Sequence, residues 1–224
     1  YLHYVLDLWF TKGFRKVCMG PARLIRYADD FVACFATQAD AERFRRELSA
    51  RLGKFGLEVE PTKTKVLAFG PNAAKRAKQE GKKRPETFDF LGFTHYCGRT
   101  RNGKRFRMKR VTARKKFRAK LAAFKLWLKE NRTKMTTREL WLKVCTKLRG
   151  HYGYYAVTDN SLGIGRFYHE AKKLLHKWLN RRSQRKGMTW GKFILMEKRF
   201  PLPRPRIRVS MFARPKPPVQ VDLL

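Results

Sequence analysis

Positive charge is the feature that most limits how this chain can fold. Its 224 residues include 54 Lys and Arg but 17 Asp and Glu, for a formal net charge of +37. A compact structure with this charge repels itself unless a polyanion is close. The chain is nevertheless 43% hydrophobic, which is too apolar for a disordered basic tail. The sequence therefore predicts a folded protein whose default partner is nucleic acid.

The charge is distributed unevenly along the chain. Residues 1–70 contain 12 basic and 8 acidic residues, a net charge of +4, whereas residues 71–224 contain 42 basic and 9 acidic residues, a net charge of +33. Attraction to a polyanion is thus expected mainly after residue 70. A site that uses Asp or Glu side chains is expected within residues 1–70.

Other classes of protein are disfavoured by simple features of the sequence. No run of about 18 apolar residues is present, so no membrane association is expected. The first residues lack the basic lead and cleavage site of a signal peptide, and a start at Tyr1 suggests a piece of a longer protein. The cysteines are far apart, which favours reduced thiols in a cytoplasmic protein over disulfides or a zinc site. They are Cys18, Cys34, Cys97 and Cys145.

Hydrophobic periodicity predicts an α+β structure for the first part of the chain. An opening helix is expected to end near Gly13, and residues 23–35 read as strand, tight turn and strand. A helix should begin after Thr37 and stop near Gly56, because a capping residue and a glycine bracket an apolar stripe. Alternation predicts a further short strand at residues 65–69.

The middle of the chain combines a basic segment with a hairpin signal. Residues 72–85 have no evident apolar face, which predicts a flexible basic loop. Residues 87–96 and 105–108 read as two strands around Asn102 and Gly103, the strongest short hairpin signal in the sequence.

Beyond Val111 the apolar period becomes helical. Three amphipathic helices are expected, marked by apolar residues within 117–128, 140–148 and 164–178, and they predict a small helical bundle. The Pro- and Arg-rich segment from residue 201 to 218 is expected to be extended and to clasp the rest of the chain.

Two adjacent carboxylates mark the predicted turn between the first two strands. Asp29 and Asp30 would form a concentrated negative site in a strongly cationic protein. Mg²⁺ prefers oxygen ligands and often binds one or two carboxylates together with substrate phosphates. Two such ions could activate a hydroxyl and stabilise a leaving oxygen in phosphoryl transfer. An ordinary hairpin turn, in which Asp is common, is the alternative.

Four motifs in one order resemble the reverse transcriptases, and within them the group II intron reverse transcriptase/maturase family. They are Tyr27-Ala28-Asp29-Asp30, residues 56–65, residues 88–93, and residues 148–155 with the sequence LRGHYGYY. The resemblance implies the second half of a palm with a primer-grip hairpin at residues 1–110, built on an antiparallel sheet with a helix. A three-helix maturase thumb would follow at residues 111–200 and an extended tail at residues 201–224.

The resemblance also implies roles for individual residues. Asp29 and Asp30 would be catalytic and would bind two Mg²⁺ ions, and Lys63 would lie near the incoming triphosphate. Phe90, Leu91 and Gly92 would form the primer grip. Independently of the resemblance, the basic run that contains Lys115 and Lys116 favours contact with RNA phosphates. Arg149 could also bind phosphate, and Tyr152 and Tyr154 could stack on RNA bases. The alternative for Lys63 is a solvated lysine, and the alternative for the tyrosines is core packing between helices.

As part of a complete enzyme, such a chain would extend DNA on an RNA template and bind intron RNA to assist splicing and mobility. The family's upstream palm motif contributes another aspartate, which no segment before Tyr27 supplies. The chain alone is therefore expected to bind RNA without polymerising, with fingers and the first half of the palm supplied in cis or in trans. Alternatives are a non-catalytic RNA-binding splicing factor and an unrelated basic ribosomal-type protein. Other bacterial reverse transcriptases share the acidic motif, but residues 148–155 favour the intron family.

Overall fold

The computed structural model describes residues 1–183 and 187–211, and these form a mixed α+β structure, as predicted. The chain divides into two compact units. The first contains residues 1–91 and 95–109, and the second contains residues 92–94 and the chain from residue 110 onward. No described helix is both long and apolar enough to cross a lipid bilayer.

The first unit begins with helical turns and then forms a β-hairpin and two helices. Its elements are a π-helical segment His3–Leu8, helix α1 Trp9–Lys12, a 3₁₀ turn Phe14–Val17, strands β1 Ala22–Tyr27 and β2 Asp30–Phe35, and helices α2 Gln38–Gly53 and α3 Ala73–Gln79. Strands β1 and β2 pair in antiparallel register from Ala22 opposite Phe35 to Tyr27 opposite Asp30. This hairpin confirms the predicted strand, turn and strand.

The core of the first unit is aromatic. Phe44 of α2 lies at its centre and contacts rings from the N-terminal helical segments and from β2, with centroid distances of 5.2 Å to both Phe14 and Phe35. Aromatic pairs of this kind stabilise beyond the area that they bury. The hairpin is therefore packed on one face against α2 and the opening helices.

Local capping chemistry sets the ends of α2 as predicted. The Thr37 side chain accepts a hydrogen bond from the Asp40 amide at 3.2 Å. At the other end Gly56 has φ +67°, and the Leu57 amide donates to the Leu52 carbonyl at 3.1 Å. Both ends depend on neighbouring residues alone, which is why the sequence identified them.

Two predictions for the segment after α2 were wrong. Residues 65–69 form no strand, because their alternation is not matched by a partner strand. Residues 72–85 are not a loop throughout, since α3 lies within them with Ala73 and Ala77 buried. Alanine has the highest helix propensity, and two alanines four residues apart give a narrow apolar face that a search for large side chains overlooks.

A second, three-stranded sheet has the order β3–β4–β5. Its strands are β3 Phe88–Phe90, β4 Phe93–Arg99 and β5 Phe106–Thr112. The hairpin around Asn102 and Gly103 is confirmed, but the predicted strand 87–96 is interrupted. Leu91 and Gly92 both have positive φ, +50° and +76°. Two such residues form the tight turn that joins antiparallel strands, so the segment is a hairpin.

The second unit confirms the three predicted helices and adds a fourth. They are α4 Arg114–Asn131, α5 Thr137–Tyr155, α6 Ser161–Asn180 and α7 Trp190–Arg199. Leu128, Leu140 and Leu175 are fully buried among them. The unpredicted α7 begins after the cap Thr189 and buries Phe193 completely. Thr189, a capping residue type, was a helix-start signal that the sequence contained.

An extended segment after α7 packs along the C-terminal end of α5. Leu202 is buried, the Tyr152 hydroxyl donates to the Pro203 carbonyl at 3.1 Å, and the Arg208 amide donates to the Ala156 carbonyl at 2.8 Å. The predicted clasp is thus confirmed as far as residue 211. The remainder of that prediction lies outside the described residues.

Burial of His151 on α5 predicts a pH-dependent stability. Its ring stacks on Phe167 with centroids 3.7 Å apart, and burial, with a smaller effect of Lys120, lowers its pKa to about 4. The unfolded chain binds this proton near pH 6.5 and the folded chain does not. The free energy of unfolding should therefore be largest above about pH 6.5 and fall by up to about 3 kcal/mol as the pH drops to about 4.

Urea unfolding across this pH range tests the effect. His151→Phe should flatten the pH dependence, because phenylalanine keeps the stacking without titrating. His169→Gln removes an exposed histidine from α6 and should leave the dependence unchanged. An unaltered profile in His151→Phe would contradict the assignment.

Candidate metal-binding turn and nucleic-acid interface

Asp29 and Asp30 lie at the tip of the β1–β2 hairpin. Because Tyr27 pairs directly with Asp30, Ala28 and Asp29 form a two-residue turn. Both carboxylates are exposed to solvent. The pair is therefore accessible to a cation or a polar substrate.

The turn has a strained backbone. Ala28 has φ +56°, in the left-handed region that Gly, Asn and Asp occupy more readily in two-residue hairpins. A non-glycine residue held there costs on the order of 1 kcal/mol or more, and such strain is concentrated at functional sites. The surrounding structure must hold the turn in this conformation.

Arg26 contacts both the turn and the first helical segment. Its Nη1 donates to the Ala28 carbonyl at 2.7 Å, while Nε and Nη2 donate to the two carboxylate oxygens of Asp7 at 2.8 and 2.6 Å. Hydrogen bonding from Arg26 lowers the pKa of Asp7 below its usual value. Sequence reasoning identified Asp7 only as part of a helix, because its spacing does not reveal which strand it contacts.

The donor set of the turn suits Mg²⁺. Two carboxylates provide the hard oxygen ligands that this ion prefers, with water or substrate phosphates completing the shell. Within residues 1–183 and 187–211, no group of three or more His, Cys, Asp or Glu side chains is placed to hold a metal ion. The turn therefore offers two carboxylates, without a third from the described chain.

Lys63 lies in a well-defined turn of the segment that follows α2. The Lys63 amide donates to the Glu60 carbonyl at 3.2 Å, and Glu60 Oε1 accepts the Thr62 hydroxyl at 2.8 Å. This hydrogen bond is the main cause that lowers the pKa of Glu60. The Lys63 side chain is exposed, and in the described chain no hydrogen bond or ion pair joins it to Asp29 or Asp30.

The Leu91–Gly92 turn requires its glycine. Gly92 has a positive φ, which other residues rarely adopt, and a Cβ added at this position would lie only 3.2 Å from the Tyr155 hydroxyl. The Gly92 carbonyl accepts a hydrogen bond from the Ala113 amide at 3.0 Å, immediately before α4. Phe90, the last residue of β3, is partly buried. The predicted primer-grip residues thus form a turn with a fixed and closely packed backbone.

The predicted RNA-binding tyrosines of α5 differ in accessibility. Tyr154 is 53% exposed and stacks on Phe93, with ring planes 15° apart, and Arg149 is exposed. Tyr152 is 1% exposed and its hydroxyl is used by Pro203. This burial corrects the assignment of Tyr152 to an RNA surface, because a buried ring between helices cannot stack on a base. Tyr152 belongs to the core.

Helix α4 presents a basic face. Lys115 and Lys116 are exposed, and the other cations of the helix are exposed as well. The full set is Arg114, Lys115, Lys116, Arg118, Lys120, Lys125 and Lys129. Glu130 is the only acidic residue of this helix. Such a face is the electrostatic footprint of phosphate binding.

The β4–β5 hairpin carries cations that the sequence reasoning missed. Its tip is ordered by the Asn102 side chain, which accepts hydrogen bonds from the Thr100 hydroxyl at 2.6 Å and the Lys104 amide at 3.3 Å. Arg101, Lys104 and Arg105 are exposed there. A signal was present, because residues 90–129 contain fourteen Lys and Arg and no Asp or Glu.

Comparison with known proteins gives a family-model match over part of the chain. Residues 8–95 match the family model described as reverse transcriptase (RNA-dependent DNA polymerase). A search of the curated proteins found no match. The matched segment includes the acidic turn, Lys63 and residues 90–92, whereas residues 148–155 lie outside it. The match is a similarity to reverse transcriptases, and it covers less than half of the chain.

Proposed function

We propose that this chain is part of an RNA-directed DNA polymerase of the group II intron reverse transcriptase/maturase kind. Residues 1–110 would provide the second half of the palm, residues 111–200 the thumb, and residues 201–224 an extended tail. The observation that carries the proposal is the exposed Asp29–Asp30 pair on a strained two-residue turn, inside the segment that matches the reverse transcriptase family.

In this proposal the carboxylates of Asp29 and Asp30 bind divalent cations, with Asp29 as the primary ligand. Two bound Mg²⁺ ions would supply activation of the primer 3′-hydroxyl and stabilisation of the leaving pyrophosphate. Lys63 would donate a proton to the pyrophosphate or support its charge. The loop held by Glu60 and Thr62 leaves the Lys63 ammonium exposed for that role.

Nucleic acid would be held by the predicted primer-grip residues and by exposed basic and aromatic side chains. The backbone at Phe90, Leu91 and Gly92 would contact the primer end, since glycine permits close approach. Lys115, Lys116 and Arg149 would bind RNA phosphates, and the exposed ring of Tyr154 would stack on a base. Through these contacts the chain would bind template and intron RNA, the latter to assist splicing and mobility.

One pair of carboxylates rarely positions two metal ions, and among the described residues no group of three or more His, Cys, Asp or Glu side chains is placed to hold a metal ion. We propose that a further segment, in cis or in trans, supplies a third carboxylate together with the fingers. Residues 1–224 alone should then bind an RNA template tightly but should not extend a DNA primer in Mg²⁺ or Mn²⁺.

A primer-extension assay on an RNA template tests this expectation, with template binding measured in parallel. Extension that Asp29→Ala/Asp30→Ala abolishes would show that the chain completes its own metal site and needs no further segment. Binding to RNA no tighter than to heparin would contradict the proposed polymerase ligand.

A non-catalytic RNA-binding splicing factor is the second candidate. It is favoured because, among the described residues, no group of three or more His, Cys, Asp or Glu side chains is placed to hold a metal ion. In that case Mn²⁺ would not bind at Asp29 and Asp30. Substitution of the α4 cations would then weaken RNA binding, whereas Asp29→Ala would leave RNA binding unchanged.

A further inference from the structure

The Arg26 guanidinium connects the acidic turn to the N-terminal helical segment. Two of its nitrogens are bound by the Asp7 carboxylate, at 2.8 and 2.6 Å, and the third donates to the Ala28 carbonyl at 2.7 Å. The two side chains are largely shielded, with 22% and 27% of their surfaces exposed. A single planar group thus binds two segments that are far apart in sequence.

The contact with Ala28 constrains the backbone of Asp29. The Ala28 carbonyl and the Asp29 amide belong to one planar peptide group. A hydrogen bond to that carbonyl therefore limits rotation of the peptide plane, and with it the direction in which the Asp29 side chain leaves the backbone. This restraint matters here because Ala28 is held at φ +56°, which an unrestrained chain would tend to leave.

Asp7 in turn orients Arg26. An ordinary exposed ion pair contributes little, about 0 to 1 kcal/mol. The paired geometry seen here is more specific, because the fork of the guanidinium matches both carboxylate oxygens and so cannot rotate freely. With two nitrogens fixed by Asp7, the remaining one is directed at the turn.

We propose that Asp7 and Arg26 are positioning residues for the metal-binding turn, and that they hold the Ala28–Asp29 peptide in the orientation in which Asp29 binds a divalent cation. The inference rests on the proposed function of the turn. Neither residue is a metal ligand in this proposal, since both oxygens of the Asp7 carboxylate accept hydrogen bonds from Arg26 and Oδ2 also lies 3.4 Å from Nδ1 of His3. Groups that orient metal ligands typically alter metal affinity by about 10- to 100-fold.

A Mn²⁺ titration of the whole ¹⁵N-labelled chain tests the proposal, with paramagnetic broadening of the Asp29 and Asp30 amide signals as the readout. Arg26→Lys keeps the charge but cannot span both partners, and Asp7→Asn removes the carboxylate. We expect each to weaken Mn²⁺ binding at the turn by about 10-fold or more. Arg23→Lys is the matched control, because Arg23 is exposed on the opposite face of the same strand and should have no effect.

A second readout without metal separates this inference from the proposed function. Solvent exchange of the Asp29 amide should become faster in Arg26→Lys and Asp7→Asn. Exchange within the β1–β2 pairing, which runs from Ala22 opposite Phe35 to Tyr27 opposite Asp30, and the thermal midpoint should stay close to those of Arg23→Lys. If the unsubstituted chain binds no Mn²⁺ at the turn, the proposed metal site fails and the positioning of Asp29 for metal fails with it. If Mn²⁺ binds but neither variant changes affinity or exchange, the positioning role alone is overturned.

Discussion

Raising the salt concentration from about 50 mM to about 200 mM is expected to weaken RNA binding by this chain about 1,000-fold or more. The physical reason is counterion release, because each phosphate that a Lys or Arg neutralises frees condensed cations from the nucleic acid. Helix α4 alone exposes seven cations, enough for the number of phosphate contacts that this decline requires. Fluorescence anisotropy with a labelled structured RNA measures the slope of log affinity against log salt.

Lys115→Gln/Lys116→Gln should reduce that slope by roughly one to two, since each lost phosphate contact removes about 0.7 to 0.9. The matched control is Arg45→Gln/Arg46→Gln, which removes the same charge from α2, a helix that also carries Asp40, Glu42 and Glu47. An equal change of slope in both variants would show that net charge, and not the α4 face, governs binding.

Replacing both carboxylates of the turn, as Asp29→Asn/Asp30→Asn, is expected to lower the rate of primer extension by at least about 1,000-fold in an assembly that contains the third carboxylate. Asparagine keeps the shape and turn preference of aspartate but removes the negative charge that binds the cation. Single-turnover extension on an RNA template measures the loss. In residues 1–224 alone, Mn²⁺ broadening at the turn should disappear.

The control for this variant is Glu42→Gln/Glu58→Gln, which removes two exposed negative charges from the same unit. It should leave extension and Mn²⁺ binding unchanged. RNA affinity should be retained in both variants, because removing acidic groups does not weaken attraction to phosphate. Full activity of Asp29→Asn/Asp30→Asn would exclude the turn as the metal site.

Features that depend on near neighbours could be predicted from the sequence. The ends of α2 follow from Thr37 and Gly56, and the acidic hairpin follows from two apolar β segments around Asp29 and Asp30. Helix α3 was missed although its signals are local, because its buried face consists of Ala73 and Ala77. The prediction of a strand at residues 65–69 was wrong for the opposite reason. A strand needs a hydrogen-bonded partner strand, and the alternation of side chains within one segment does not show whether such a partner exists.

The candidate site was predicted only in part. The motif order located the turn, Lys63 and the Leu91–Gly92 backbone, but it could not separate Tyr152 from Tyr154. These tyrosines are two residues apart on α5, so they face different sides of the helix. Packing against the extended segment buries one, and the other remains 53% exposed.

The sequence by itself determined the strongly basic character of the chain, most of its helices and strands and the acidic turn. Each of these depends on charge or on residues within a few positions of one another. Only the tertiary structure decided which side chains support that turn. Asp7 and Arg26 are 19 residues apart, and their contact exists because the aromatic core around Phe44 packs the opening helices against the β1–β2 hairpin. No local pattern records a contact that depends on how two elements pack.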